Sequence, residues 1–243
     1  GDAGVRIAGG GNVSNTSVLN NTLDGDVGVE SRGIEISAGT SAEPSVGNIV
    51  ENNTVRNHGG GGIHVFKQNP VFGFSYDSPA IVDTILRNNT VEDNGDGDDR
   101  GIALVNTGNV TMRDNTISGH TVDFEIDQEL GENLTNDILF DHYRHDIDAS
   151  NTVGGSPIRY LRNETGTAFD STSDVGALVV VDSTDVTVRD RTLTSATAFV
   201  NSSGVTMENV AVAGTGLDFV AVSDSVVDGA TFAPVEEHID DGV

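Results

Sequence analysis

The chain has 243 residues and carries 38 acidic against 12 basic side chains, a formal net charge of −26, with no Cys and no Trp. Such a surface repels nucleic acid and anionic lipid, which are gripped through Lys and Arg. Without thiols there is no disulfide framework, thiolate metal site or Cys nucleophile, and no apolar run reaches the roughly 18 residues that cross a bilayer.

The opening, GDAGVRIAGGGN, reads as the middle of a repeat, so the chain is expected to be a mature or excised piece of a longer protein. From residue 17 one rule recurs: an aliphatic residue, two variable ones, Asn, one variable, another aliphatic. Val18/Asn21/Leu23, Val50/Asn53/Val55, Leu86/Asn89/Val91 and Met112/Asn115/Ile117 obey it. A degenerate copy is expected at Leu134/Asp137/Leu139. The second half keeps the spacing without the Asn, at Val188/Arg191/Leu193, Met207/Val210/Val212 and Val227/Ala230/Phe232, with steps as short as 19 and 20 residues. Most copies are followed by a short alternating run: RGIEIS (32–37), GGIHVF (61–66), RGIALV (100–105), VDFEID (122–127) and VGALVVV (175–181). These runs are rich in β-branched residues and bounded by Gly, Asn and Asp, which marks strands. No helical period of useful length interrupts them.

Short strands recurring about every 20 residues describe a β-solenoid. Each turn stacks on the next at about 4.8 Å, and the inward aliphatics form one core column. The repeated Asn belongs at a tight bend, where φ > 0 is often required and Asn tolerates it. Its amide can also hydrogen-bond up and down a ladder, so its role is structural. Irregular spacing with loop interruptions favours a right-handed form over the strict hexapeptide left-handed one. The expected fold is all-β: a single-stranded right-handed parallel β-helix of three sheets over residues 1–235. It would have about ten coils and a length on the order of 50 Å. An insertion loop at about 66–80 and a C-terminal tail at 236–243 complete it.

Three features stand apart from the repeat. Phe66, Phe72, Phe74 and Tyr76 gather 4 of the 12 aromatic residues in one stretch, FKQNPVFGFSY. An aromatic loop can stack on sugar rings, contact a protein, or fold back over the core. Asp93, Asp96, Asp98 and Asp99 crowd the Gly-flexed stretch EDNGDGDDRG, where hard carboxylate oxygens suit Ca2+. FDHYRHDID places His142 and His145 among Asp141 and Asp146, a set open to zinc or acid–base work but equally to a solvated connection. Nine Asn-x-Ser/Thr sequons occur. Asn133 and Asn163, outside the tight repeats, are the expected glycan acceptors if the protein is exported.

The Asn-Asn-Thr and Gly-Ile repeats resemble those of pectate-lyase-like β-helix proteins, in particular the carbohydrate-binding and sugar-hydrolase (CASH) group and its NosD-like members. The stretch 151–175 sharpens this: Gly155, Pro157, Ile158, Tyr160 and Leu161 are similar to a NosD-type linker. Scarcity of lysine (Lys67 alone) with Asp over Glu at about two to one resembles proteins of salt-loving archaea. The resemblance implies the fold and leaves activity open, since this fold hosts many functions. Three readings follow. The first is an extracellular, cell-surface module contacting glycans or neighbouring protein subunits without catalysis, with end-to-end or homo-oligomeric assembly open to it. The second is a polysaccharide lyase or hydrolase, which needs carboxylates converging on one sheet face; Glu35 and His64 point outward there, but Ala103 interrupts the row. The third is a NosD-like copper-processing accessory, for which only Met112 and Met207 offer soft ligands.

So large a net charge repels itself within the fold. Between about 0.1 M and about 1 M salt the screening length falls from about 10 to about 3 Å. The thermal midpoint is therefore expected to rise across that range; a flat or falling midpoint by circular dichroism would contradict it.

Overall fold

A computed structural model describes residues 3–9, 12–38, 44–67, 79, 81–95, 100–128, 140–213 and 216–232. The repeats wind into a parallel β-helix. Sheet 1 stacks the longest strands, Ala3–Gly9, Arg32–Ala38, Ile63–Lys67, Arg100–Val105 and Val122–Asp127. Sheet 2 stacks Ser17–Leu19, Ile49–Glu51, Ile85–Arg87, Thr111–Arg113 and Asp146–Ile147. Sheet 3 begins with Thr22–Asp24, Thr54–Arg56, Thr90–Glu92, Thr116–Ser118 and Thr152–Val153 and runs on to nine strands. A short fourth sheet, Ser45–Val46, Ile81–Val82 and Thr107–Gly108, fills one corner.

The register is the one the repeat predicts. Val18, Val50, Leu86 and Met112 stack in sheet 2, and Leu23, Val55, Val91 and Ile117 in sheet 3. In sheet 1, Ile34, Ile63, Ile102 and Phe124 form one column and Ile36, Val65, Leu104 and Ile126 another. All of these converge on a single bore. The fifth rung is Ile147/Asn151/Val153, one residue longer than its predecessors. The expected copy at Leu134/Asp137/Leu139 lies outside the described residues.

The two asparagines of Asn-Asn-Thr divide the work. The left-handed conformation belongs to the first: Asn20, Asn52, Asn88 and Asp114 have φ between 51° and 58°. The second builds the ladder. Nδ2 of Asn21, Asn53, Asn89 and Asn115 donates to Oδ1 of the Asn on the next coil at 3.0, 3.1, 2.9 and 2.7 Å. The same Oδ1 accepts the backbone N–H of the preceding Asn at 3.0–3.2 Å. Nδ2 also reaches back to the carbonyl of Val18, Val50, Leu86 or Met112. Every buried amide at this bend is thereby satisfied.

The glycines of the Gly-Ile runs answer to close approach. A Cβ on Gly62 would lie 2.3 Å from Cγ1 of Val91, and one on Gly101 2.5 Å from Cγ2 of Ile117. The bend from sheet 3 into sheet 1 leaves no room for a side chain.

Beyond Val153 the chain reverses. Gly154 and Gly155, with φ of 58° and 86°, form a two-residue hairpin turn, pairing Thr152 with Pro157 antiparallel. Sheet 3 then continues through Ser156–Arg162, Ala177–Val181, Thr197–Val200 and Asp218–Val220. Sheet 5, made of Ala168–Phe169, Thr187–Leu193, Thr206–Val212, Val226–Asp228 and Thr231–Phe232, faces these added strands. Registers of Tyr160, Val179 and Ala198 show coils of 19 residues. Ala177–Val181 and Thr197–Val200 are buried on both faces. Ile158, Ala177, Val179, Val181, Ala198 and Val200 belong to the first bore, whereas Leu178, Val180 and Phe199 belong to a second bore with Val188, Met207 and Val212. Strand direction and core side both switch, so the two stacks wind with the same hand. Serine replaces asparagine at the bend: Ser183 and Ser202 Oγ accept the N–H of Glu164 and Ser183 and donate to the carbonyls of Val181 and Val200.

Replacing Asn115 by Ala strands the N–H of Asn89 and the carbonyl of Leu86 inside the wall and leaves Asn89 Nδ2 with the Val50 carbonyl alone. At about 1–3 kcal/mol per unsatisfied buried group, the loss should be roughly 2–6 kcal/mol. Asn52→Ala, at an exposed left-handed position, should cost only about 1–2 kcal/mol. Guanidinium unfolding of both variants checks the order; equal losses would mean the ladder is not the support argued for.

Candidate functional site

The outward face of sheet 1 holds the densest charge chemistry. Its register aligns Arg6, Glu35, His64, Ala103 and Glu125 in one column, flanked by Arg32 and Arg100. Although they point away from the bore, Glu35, His64, Ala103 and Glu125 are all buried. Glu35 accepts from Arg6 Nε, Arg32 Nη1 and Ser37 Oγ, each at 2.9 Å. Burial pushes its carboxyl upward, but these donors and the charges behind them win and hold it below the usual carboxylate range. His64 sits with Nε2 3.4 Å from the carbonyl of Arg100. Burial, helped by the charges of Arg32 and Arg100, depresses it to about 3. Glu125 pairs with Arg100 Nε, yet burial dominates and its carboxyl is raised.

Glu125 also opens onto a cavity of about 180 Å³ between the two stacks, lined by Glu125, Asp127, Thr197 and Asp218 among others. Burial raises the Asp218 carboxyl as well, with the charge of Asp127 adding to it. Three carboxyls from two distant stretches of chain thus face one space. Beside it the stacks are clasped together. The edge of Val122–Asp127 is met by Ser195 and Ala196, which hydrogen-bond to the backbone of Phe124. Arg144 bridges Asp141 at 2.8 Å and Asp182 at 3.0 Å. The Tyr160 hydroxyl accepts the N–H of His145 at 2.8 Å and donates to the carbonyl of Tyr143.

The predicted site residues scatter. Phe66 is half-buried, with the Arg32 guanidinium 4.8 Å from its ring centroid; Phe72, Phe74 and Tyr76 lie outside the described residues. Asp93 is exposed in a left-handed turn, while Asp96, Asp98 and Asp99 lie outside. Asn163 is exposed and left-handed; Asn133 lies outside. Among the described residues no three His, Asp or Glu side chains gather as metal ligands. The stretch FDHYRHDID is built inward. His142 and His145 are buried, while Asp141 and Asp146 point out to Arg144 and Arg113. Burial depresses His142 to about 4 and His145 to about 3. The cavity was invisible in the sequence, since its carboxyls come from separate repeats.

A further feature lies at the two ends. The exposed large apolar side chains among the described residues are Leu19, Val27 and Val29 on the first coil and Phe219, Val226, Val227 and Phe232 on the last. The class this geometry defines is an all-β parallel β-helix with two fused bores. No protein-family model, curated protein or solved structure matches the chain.

The folded values of His64, His142 and His145 lie below the unfolded one of about 6.5. The unfolded chain therefore takes up more protons as pH falls. Stability present at neutral pH is lost from about pH 6.5 down through about 3–4, at up to about 1.4 kcal/mol per pH unit for each group. The raised carboxyls of Glu125 and Asp218 lean the other way. Urea midpoints should fall from about pH 7 to about pH 4, with a shallower slope in His142→Phe; an unchanged slope would count against buried neutral His142.

Proposed function

We propose that the chain is a non-catalytic, extracellular cell-surface module of the pectate-lyase-like β-helix type from a salt-adapted organism, and that it contacts glycans or neighbouring protein subunits. The observation that carries this is the pairing of the outward charges of sheet 1 with one another. The charged column of sheet 1, where an enzyme of this shape would be sought, is spent on internal pairs: Glu35 is held by two arginines and His64 is buried neutral. A sugar-stacking role for Phe66 is disfavoured because Arg32 already covers its ring.

One observation favours a second reading, a polysaccharide lyase or hydrolase. Glu125 and Asp218, both raised, share a cavity with Asp127, and a carboxyl raised by burial can serve as a general acid. The copper-accessory reading gains nothing from Met112 and Met207, which are sealed in the two bores. Asn163, with Thr165 two residues on, remains the glycosylation site to examine in exported protein.

The discriminating assay measures reducing ends and unsaturated uronates over a panel of polysaccharides in high salt. No turnover is expected. Turnover abolished by Glu125→Gln or Asp218→Asn would replace the module with an enzyme.

A further inference from the structure

In Asn-Asn-Thr the second Asn is spent in the buried ladder, which leaves the first as the acceptor position of an Asn-x-Thr sequon. Asn20, Asn52 and Asn88 occupy that position on successive coils, exposed, with φ of 58°, 57° and 51°. Their threonines, Thr22, Thr54 and Thr90, stack in register. Leu23, Val55 and Val91 beside them point to the bore, so strand alternation turns the threonines outward. Both groups that define the sequon therefore lie on the outside of one corner. The bend itself does not demand Asn at the first position. Asp114 takes the same conformation on the next coil, with φ of 53°, and the ladder passes through Asn115 unchanged. In a chain so rich in Asp, conformation alone leaves the three outer asparagines unexplained.

The hydrogen bonding of this column leaves a place for a substituent. Nδ2 of Asn52 donates to Oδ1 of Asn20 at 3.0 Å, and Nδ2 of Asn88 donates to Oδ1 of Asn52 at 2.6 Å. Asn52 thus points its C=O toward one neighbour and an N–H toward the other, in opposite directions. A carboxamide carries two such hydrogens, and the column uses one. An N-linked sugar replaces the other and leaves a secondary amide whose N–H lies opposite its C=O, as in a peptide. The axial bonds therefore survive the linkage. The neighbours in this column are neutral, whereas Asn109 and Asn201 donate to the carboxylates of Asp83 and Asp182. The charges flanking the column are paired across coils, Arg87 with Glu51 and Arg56 with Asp24. Resting on the reading that the protein is extracellular, we propose that Asn20, Asn52 and Asn88 are acceptors of N-linked sugar, in a row along the corner between sheets 2 and 3. In the transfer, Nδ2 bonds to the anomeric carbon of a sugar activated as a phosphate ester and delivered by a separate transferase. The bond from that carbon to the phosphate oxygen breaks, the phosphate leaves with the electron pair, and Nδ2 gives up one proton. The row keeps this corner out of protein contact.

The test uses the full chain as its source cells make it, with cell surface and cell interior separated first. Cleavage after arginine puts Asn20, Asn52 and Asn88 on separate peptides, because Arg32, Arg56 and Arg87 lie between them. Mass spectrometry then maps each peptide, and fragmentation distinguishes Asn20 from the nearby sequons at Asn12 and Asn15. Sugar is expected on at least two of the three asparagines. Thr22→Val, Thr54→Val and Thr90→Val, made in the same cells, should each strip the sugar from its own site alone, because each removes the sequon hydroxyl and leaves the ladder asparagine in place. Surface protein that carries sugar on fewer than two of the three would overturn the proposal and leave the extracellular reading standing. Protein found only inside the cell would overturn both. Sugar that persists on a site after its threonine is changed would show attachment independent of the sequon, and would overturn the proposal as well. Should a valine variant lose its circular dichroism melt, the map of the native chain decides alone.

Discussion

A coil that bends inside a wall must satisfy its bend along the axis, because no strand lies beside it. The asparagine ladder meets this demand. One carboxamide accepts two bonds on Oδ1 and donates two through Nδ2, so each rung is fastened to the rung before and the rung after. A hydroxyl cannot do as much. Ser183 accepts one N–H and donates to one carbonyl two residues back, and makes no side-chain bond to Ser202. The serine rungs coincide with 19-residue coils, and the asparagine rungs with aligned positions 26–36 residues apart. Where longer coils carry loops between strands, the continuous ladder keeps successive bends in register.

The register of both stacks was legible because inward aliphatics at fixed spacing have no other use. What escaped were features set by single residues or distant pairs. Asn151 was hidden by one inserted residue ahead of it, which breaks the spacing of the repeat. The positive φ was assigned to the second residue of each pair and belongs to the first; three of the pairs are Asn-Asn, which only the fold tells apart. Gly155, Pro157, Ile158, Tyr160 and Leu161 were read only through their resemblance to a NosD-type linker, and the last four lie in Ser156–Arg162. They form a strand whose Ile158 enters the first bore and whose Tyr160 binds the backbone of Tyr143 and His145. His142 and His145 read as solvated because histidine is polar; the apolar Phe140 and Tyr143 between which they fold carry them inside.

The acidic composition is arranged around the stacking. Arginines join neighbouring coils: Arg56 to Asp24, Arg87 to Glu51, Arg113 to Asp146 and Arg144 to Asp182. In the exposed left-handed columns, aspartate neighbours a residue that does not repel it. Asn109 donates to Asp83, Asn201 to Asp182 and Asn209 to Asp190, while Gly119 and Gly204 lie over Asp93 and Asp185. Stacked carboxylates about 5 Å apart would repel at every rung. Alternation allows a chain of net charge −26 to pile coil on coil.

The fusion of the two bores follows from where the chain reverses. The first bore ends at Phe124, Ile147 and Val153, where sheets 1 and 2 stop but sheet 3 continues. The Gly154–Gly155 turn sends the added strands across with one apolar face toward that opening, so Ala177, Val179 and Ala198 close it from within the same chain. Closing one bore in this way requires the opposite face of the same strands to be apolar too, and Leu178, Val180 and Phe199 then need a second bore of their own. The second stack is thus the consequence of capping the first.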